Sequence, residues 1–135
     1  MPRLGVSIEN RRFVHRADLL RATPAAVRFI SAEPLIGPLL CEEEQTEDPL
    51  WADDYDGPQL TLGGIDWLIV GGESGPRHRA MDLAWVRALR DACMAERPHY
   101  STAFFLKQLG GAKSGTALDD LPPDLRVREY PTVAA

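Results

Sequence analysis

Four charged side chains are the strongest candidates for chemistry in this sequence, because each directly follows an apolar run. They are Glu9, Glu33, Glu73 and Lys107. If the apolar runs are parallel strands, their carboxyl ends meet at one edge, where α/β proteins place their active sites. Three carboxylates and one ammonium in a cleft suit general acid–base catalysis or binding of a polar ligand. We therefore predict these four as catalytic residues; the alternative is that charged residues mark strand ends at the surface.

A glycine-rich loop follows the third apolar run and contains one of these carboxylates. Its sequence, at residues 71–75, is Gly-Gly-Glu-Ser-Gly. Glycines let the backbone approach a ligand closely, and successive free amides can form a nest for an anionic group. The spacing matches neither a Walker loop nor the dinucleotide-binding glycine pattern. We predict Gly71, Gly72, Glu73 and Ser74 as cofactor-binding residues, with a turn required by chain geometry as the alternative.

The elements that position these residues alternate between strand and helix. Strand-like segments cover residues 4–10, 27–34, 65–70 and 100–106. The apolar spacing predicts helices over residues 11–22 and 83–96. Alternation of this kind implies parallel strands joined by right-handed crossovers. Within the third strand, Trp67 is expected to pack in the core.

The composition narrows the class of protein. The chain has 135 residues, 44% hydrophobic and 26% charged, which suits a single α/β domain over residues 1–135. A net charge of −5 does not indicate a nucleic-acid binder. No apolar run approaches the roughly 20 residues of a transmembrane helix, and no signal peptide is evident, so we expect a cytoplasmic protein. Cys41 and Cys93 lack metal-ligand spacing, so no metal site is predicted.

Residues 41–60 differ in composition from the rest of the chain. They hold eight of the 20 acidic residues and no basic residue. Repulsion between like charges, together with prolines, predicts an exposed and flexible acidic insertion. A cation site is the alternative interpretation, although the spacing is not that of a calcium-binding loop.

Several segments resemble a phage-associated protein family of unknown function. They are LGVSIEN at residues 4–10, ATPAAVRFISAEPLIGP at 22–38, IDWLIVGGESG at 65–75, FFLKQLG at 104–110 and DLRVREYP at 124–131. Full-length members resemble radical S-adenosylmethionine enzymes and carry an N-terminal cysteine-rich segment that would hold an iron–sulfur cluster. The segments span nearly the whole chain outside the acidic insertion. The chain is therefore similar to the C-terminal half of such a protein.

The resemblance implies half of a (βα) barrel, with about four mainly parallel strands, crossover helices and a loop-rich C-terminal tail. It also implies a pocket for S-adenosylmethionine at the strand ends. The loop of residues 71–74, together with Glu9, Glu33 and Lys107, would line that pocket. An iron–sulfur cluster needs at least three suitably placed cysteines. The sequence has two cysteines, Cys41 and Cys93, so the ligands for such a cluster are absent. We therefore expect a domain that is catalytically incomplete alone.

Half of a barrel leaves two sheet edges and one apolar face exposed, which favours association. We expect a homo-oligomer, or a second polypeptide that supplies the missing N-terminal half. One alternative function is a non-enzymatic protein-binding or assembly module that uses the exposed half-barrel face. Another is a metal-independent enzyme that uses Glu33, Glu73 and Lys107.

Overall fold

The structure is a computed structural model that describes residues 2–40, 58–95, 97 and 101–132. Within this part of the chain, four strands form one sheet. They are β1 (Arg3–Ser7), β2 (Val27–Ala32), β3 (Trp67–Gly71) and β4 (Ala103–Gln108). Each strand pairs in parallel with the next, in the order β1-β2-β3-β4. The predicted α/β class with parallel strands is confirmed, and the open sheet is consistent with half of a barrel.

Two α-helices follow the first and third strands. The first, α1 (His15–Arg21), is preceded by a 3₁₀ turn at Arg11–Phe13, and the second is α2 (Leu83–Ala95). The predicted continuous helix over residues 11–22 is therefore wrong in its first turn. The Asn10 side chain accepts a hydrogen bond from the Arg12 amide, and this cap sets up the tighter turn.

Both helices pack on the same face of the sheet. Their buried side chains join one cluster with strand residues that alternate along each strand, namely Ile30, Ala32, Leu68, Val70, Phe104 and Leu106. All six of these strand side chains are fully buried. The intervening residues of the strands point to the opposite face, and no described helix packs there. We call this the open face.

The C-terminal tail folds back onto β4. Two 3₁₀ turns, Leu118–Asp120 and Pro123–Leu125, precede a short extended segment, residues 127–129. In this segment, the Val127 carbonyl accepts from the Leu106 amide at 3.0 Å, and the Glu129 amide donates to the Phe104 carbonyl at 2.8 Å. The predicted loop-rich tail with one extended piece is thus observed.

Two predictions lie outside, or mostly outside, the described residues. The predicted acidic insertion, with its alternative cation site, covers residues 41–60, of which only the last three are described. Cys41 also lies among the residues that are not described.

Among the described residues, no helix is both long and apolar enough to cross a membrane.

Candidate functional site

The parallel strands bring the predicted charged residues to one edge of the sheet, but most of them bind partners of their own. Glu9 contacts Arg16 at 3.4 Å, and Glu73 contacts Arg79 at 2.6 Å. Glu33 alone reaches another member of the predicted set, because its Oε2 lies 3.2 Å from the Nζ of Lys107. The structure therefore joins two of the four predicted catalytic residues directly.

Lys107 reaches this position because of a bulge in β4. Val70 pairs with Leu106, but the next residue, Gly71, pairs with Gln108, so Lys107 is an extra residue in the ladder. Bulges of this kind redirect a side chain and are common beside active sites. The prediction that Lys107 follows the fourth strand is wrong, since β4 continues to Gln108. The reason is that the bulge keeps the strand paired past the charged residue.

Gly71 leaves room for the Glu33 side chain to reach Lys107. Glu33 follows β2 and Lys107 belongs to β4, so the carboxylate must cross the end of β3. A Cβ placed at Gly71 would lie 3.1 Å from Cγ and 3.3 Å from Cδ of Glu33. A side chain at Gly71 would therefore require Glu33 to shift by a few tenths of an ångström. The ion pair lies on the open face, at the edge where the strands end. In this pair, 22% of the Glu33 side chain and 55% of the Lys107 side chain are exposed.

Glu73 fixes the loop that follows it. Its carboxylate accepts from the Arg79 amide at 2.9 Å, from Nε at 3.2 Å and from Nη2 at 2.6 Å. The hydrogen bonds from the Arg79 side chain and backbone hold the pKa of Glu73 below its ordinary value. Glu73 is therefore a carboxylate that stays ionised, because it is held by a guanidinium.

The remaining predicted loop residues are engaged with the loop after β4. The Gly72 amide donates to the Gln108 carbonyl at 3.0 Å, and the Gln108 side-chain amide donates to the Gly72 carbonyl at 2.7 Å. Farther along, Ser74 forms a parallel bridge with Gly111, and the Gly75 amide donates to the Gly111 carbonyl. The amides of Gly72 and Gly75 are therefore not free, as a nest for an anionic ligand would require.

A cavity of about 280 Å³ lies beside these loops, lined by His78, Ala80, Met81, Leu83, Leu109 and Gly110. His78 Nδ1 lies 2.8 Å from the Gly75 carbonyl, so this nitrogen carries the proton that the hydrogen bond requires. The cavity combines an apolar wall with one imidazole, next to the strand-end edge.

Sequence reasoning missed an aromatic cluster on the open face. Trp67 contacts the rings of Phe29, Phe105 and Tyr130, with centroid separations of 6.2, 6.0 and 5.6 Å. Trp67 was expected in the core, and this is wrong, because the core-facing residues of β3 are its neighbours Leu68 and Val70. Side chains alternate between the two faces of a strand, so the sequence shows that Trp67 and Phe105 lie on the face opposite their neighbours Leu68 and Phe104. It does not show which of the two faces the helices cover.

Cys93 is not suited to bind a metal or to act as a nucleophile. It is fully buried, and burial raises the pKa of its thiol to about 12. Among the described residues, no group of three or more His, Cys, Asp or Glu side chains could hold a metal ion. The described residues therefore do not fit an iron–sulfur cluster, which needs thiolate ligands.

The sequence model of a family described as "Protein of unknown function (DUF5131)" matches residues 3–126. No curated protein and no solved structure matches the chain. The matched range contains all four predicted catalytic residues and the glycine-rich loop.

Proposed function

The chain belongs to the family of proteins of unknown function DUF5131, and we propose that it binds a small zwitterionic ligand at the strand-end edge of its sheet. The observation that carries this proposal is the Glu33–Lys107 pair, whose charged atoms lie 3.2 Å apart. An ammonium and a carboxylate on one ligand, as in an amino acid, would bind Glu33 and Lys107 respectively. The ligand would thereby exchange one ion pair for two.

The exposure of the pair supports this exchange. An exposed ion pair contributes only about 0–1 kcal/mol to stability, so a ligand can separate the two side chains at little cost. More than half of the Lys107 side chain is exposed, and Glu33 is more enclosed at 22%. The enclosed carboxylate is held in place beside Gly71, while the exposed lysine is the group that can move to meet a ligand.

S-adenosylmethionine is the ligand that we propose to test first. Its methionyl part carries the required ammonium and carboxylate, and the resemblance to radical S-adenosylmethionine proteins favours it. We further propose that the chain lacks radical chemistry on its own, because its described residues do not fit an iron–sulfur cluster. The proposed role is therefore ligand binding by a half-barrel domain.

Calorimetric titration of the full chain tests this proposal. We expect S-adenosylmethionine to bind, and each of Glu33→Gln and Lys107→Gln to weaken binding tenfold or more by removing one ionic contact. Glu9→Gln is the matched control, because Glu9 follows the neighbouring strand and binds Arg16 instead. It should change the affinity less than about twofold. Absence of heat with S-adenosylmethionine and with free methionine, or equal affinity in all variants, would refute the proposal.

A second candidate function is assembly through the open face, for which the aromatic cluster is the specific observation. Tyr130 is 69% exposed, and its ring contacts that of Trp67 at a tilt of 38°, with the centroids 5.6 Å apart. Aromatic residues dominate the centres of protein interfaces. Because these rings carry no net charge, the patch can meet a second copy of itself without like-charge repulsion, as a two-fold dimer requires.

Light scattering over a range of concentrations tests this second candidate. A mass twice the 14.9 kDa of the chain is expected, and Tyr130→Ser should weaken the dimer. Leu118→Ser is the control, because Leu118 is a similarly exposed apolar residue, at 43%, in a 3₁₀ turn of the tail. A mass of one chain at every concentration contradicts assembly through this face.

A further inference from the structure

The C-terminal tail places Arg128 beside β4, on the open face of the sheet. Val127 and Glu129 pair with β4 through main-chain hydrogen bonds, and between them Arg128 lies opposite Phe105 in an antiparallel bridge. Directly paired residues of antiparallel strands present their side chains on the same face. The Arg128 guanidinium accordingly lies 5.6 Å from the centre of the Phe105 ring. The tail therefore contributes a guanidinium group to the open face.

This guanidinium binds two successive carbonyls of β4. Its Nε donates to the Leu106 carbonyl at 2.9 Å, and its Nη2 donates to the Lys107 carbonyl at 2.9 Å. In a regular strand, successive carbonyls point to opposite sides. These two point to the same side because the ladder slips at Lys107, and the next carbonyl, that of Gln108, turns back to accept from the Gly72 amide. Arg128 therefore binds the bulge itself.

The bulge decides where the Lys107 side chain starts. Val70 pairs with Leu106, so in a regular ladder Lys107 would lie opposite Gly71, with its carbonyl directed toward β3. A carbonyl that loses its donor favours such a rearrangement, because backbone polar groups need partners. Restoring the regular register would move Lys107 along the strand by up to about 3.3 Å, the rise of one residue. That displacement would break its 3.2 Å contact with Glu33.

We propose that Arg128 is the positioning residue of the Glu33–Lys107 site, and that docking of the tail is therefore coupled to binding of a zwitterionic ligand at this site. Arg128 acts through Lys107, because it fixes the bulge from which the lysine reaches the ligand. The coupling rests on the proposed ligand binding, whereas the hold of Arg128 on Lys107 is measurable without ligand. By reciprocity, the factor that Arg128 adds to ligand affinity is the factor that the ligand adds to tail docking.

Isotope labelling of lysine tests the positioning without ligand. The sequence contains two lysines, Lys107 and Lys113, so protein with labelled lysine gives two sets of NMR signals, and the Lys107→Gln variant identifies those of Lys107. In Arg128→Gln, we expect the carbonyl and side-chain signals of Lys107 to shift. We also expect the nuclear Overhauser contacts between Lys107 and Glu33 to be lost, because the lysine no longer starts from the bulge.

Arg126→Gln is the matched control. Arg126 is also a tail arginine that donates to two carbonyls, but these belong to Leu121 and Asp119 in the tail. Its loss should leave the Lys107 signals in place and change ligand affinity less than about twofold. Arg128→Lys separates geometry from charge, because a lysine keeps the charge but lacks the planar fork that binds two carbonyls. It should therefore behave like Arg128→Gln.

Calorimetry on the same variants measures the coupling. We expect S-adenosylmethionine to bind the full chain, and Arg128→Gln and Arg128→Lys each to weaken this binding about tenfold. In the wild type, saturating S-adenosylmethionine should slow hydrogen exchange of the Glu129 amide, which donates to the Phe104 carbonyl, by up to the same factor. An arginine with a purely structural role would not produce this reciprocal effect.

The two experiments fail in different ways. If the wild type binds neither S-adenosylmethionine nor free methionine, the proposed function and the coupling are refuted, and displaced Lys107 signals in Arg128→Gln still support the positioning role. If the wild type and Arg128→Gln bind equally well, the coupling is overturned while ligand binding stands. Lys107 signals that stay in place in Arg128→Gln, full affinity in Arg128→Lys, or an equal loss in Arg126→Gln would each overturn the role of Arg128. Should Arg128→Gln fail to fold, Arg128→Lys takes its place in both experiments.

Discussion

Gly72 provides a sharp test of how the two strand-end loops are held together. A Cβ placed at this residue would lie 2.2 Å from the amide nitrogen and 2.5 Å from Cα of Gly110. Both of these atoms belong to the backbone, so no side-chain rotation can relieve the overlap. In Gly72→Ala, the loops after β3 and β4 must therefore separate by more than 1 Å, as judged from ordinary carbon contacts of about 3.5 Å.

The separation strains two hydrogen bonds in addition to the packing. These are the bond from the Gly72 amide to the Gln108 carbonyl and the bond from the Gln108 side chain to the Gly72 carbonyl. Each contributes about 1 kcal/mol, and forced overpacking costs about 1–3 kcal/mol. We therefore expect Gly72→Ala to lower the free energy of unfolding by about 3–5 kcal/mol.

Urea denaturation monitored by tryptophan fluorescence measures this change. Gly63→Ala is the matched control, because nothing lies within 4 Å of a Cβ at Gly63. It should change stability by less than about 1 kcal/mol, with stabilisation favoured by the reduced freedom of the unfolded chain. A loss below about 1 kcal/mol in Gly72→Ala would refute backbone packing as the reason for this glycine.

Three further predictions concern charged and buried groups. Lys107→Gln should lower the free energy of unfolding by less than about 1 kcal/mol in urea, because 55% of the Lys107 side chain is exposed to solvent. A greater loss would indicate a structural role. Hydrogen bonds from Arg97 and from the Phe104 amide lower the pKa of Glu129 in the folded protein. The ionised Glu129 therefore stabilises the fold at pH values above its unfolded pKa, and this contribution is lost as the pH falls through its folded pKa. Glu129→Gln should therefore flatten the acid limb of stability against pH and speed amide exchange at Phe104; an unchanged acid limb would contradict this clamp. Cys93, with a thiol pKa of about 12, should react with a thiol reagent only as fast as the protein unfolds, and rapid reaction in the native state would show that it is accessible.

Local patterns predicted the fold class because they reflect local physics. Apolar runs such as Leu68–Val70 have to be buried on the face of a sheet, and the helical spacing of Val86, Leu89 and Cys93 has to face a core. The alternation of these elements left a parallel sheet as the simplest arrangement. It also placed the charged residues at a common edge, which is the part of the site that follows from strand direction alone.

Which charged residues meet one another was decided only by the tertiary structure. Glu33 and Lys107 are far apart in sequence, and their contact follows from the bulge in β4 and from the space beside Gly71. Glu73 is bound by Arg79 and does not contact Glu33 or Lys107. Arg79 lies only six residues after Glu73, but the sequence alone does not show that the loop brings the two side chains together. These outcomes depend on contacts of a few tenths of an ångström, which no local pattern encodes.

The sequence by itself therefore determined the kinds of element, their parallel direction and the edge where polar groups collect. Only the tertiary structure decided which face of each strand is covered, which carboxylate pairs with the lysine and which sheet edge stays open. The physical reason is that hydrophobic periodicity is a property of neighbouring residues. The facing of each strand, its register and the protection of sheet edges depend instead on distant segments. The tail is one of them, since its residues 127–129 pair with β4, whereas the outer edge of β1 has no partner among the described strands.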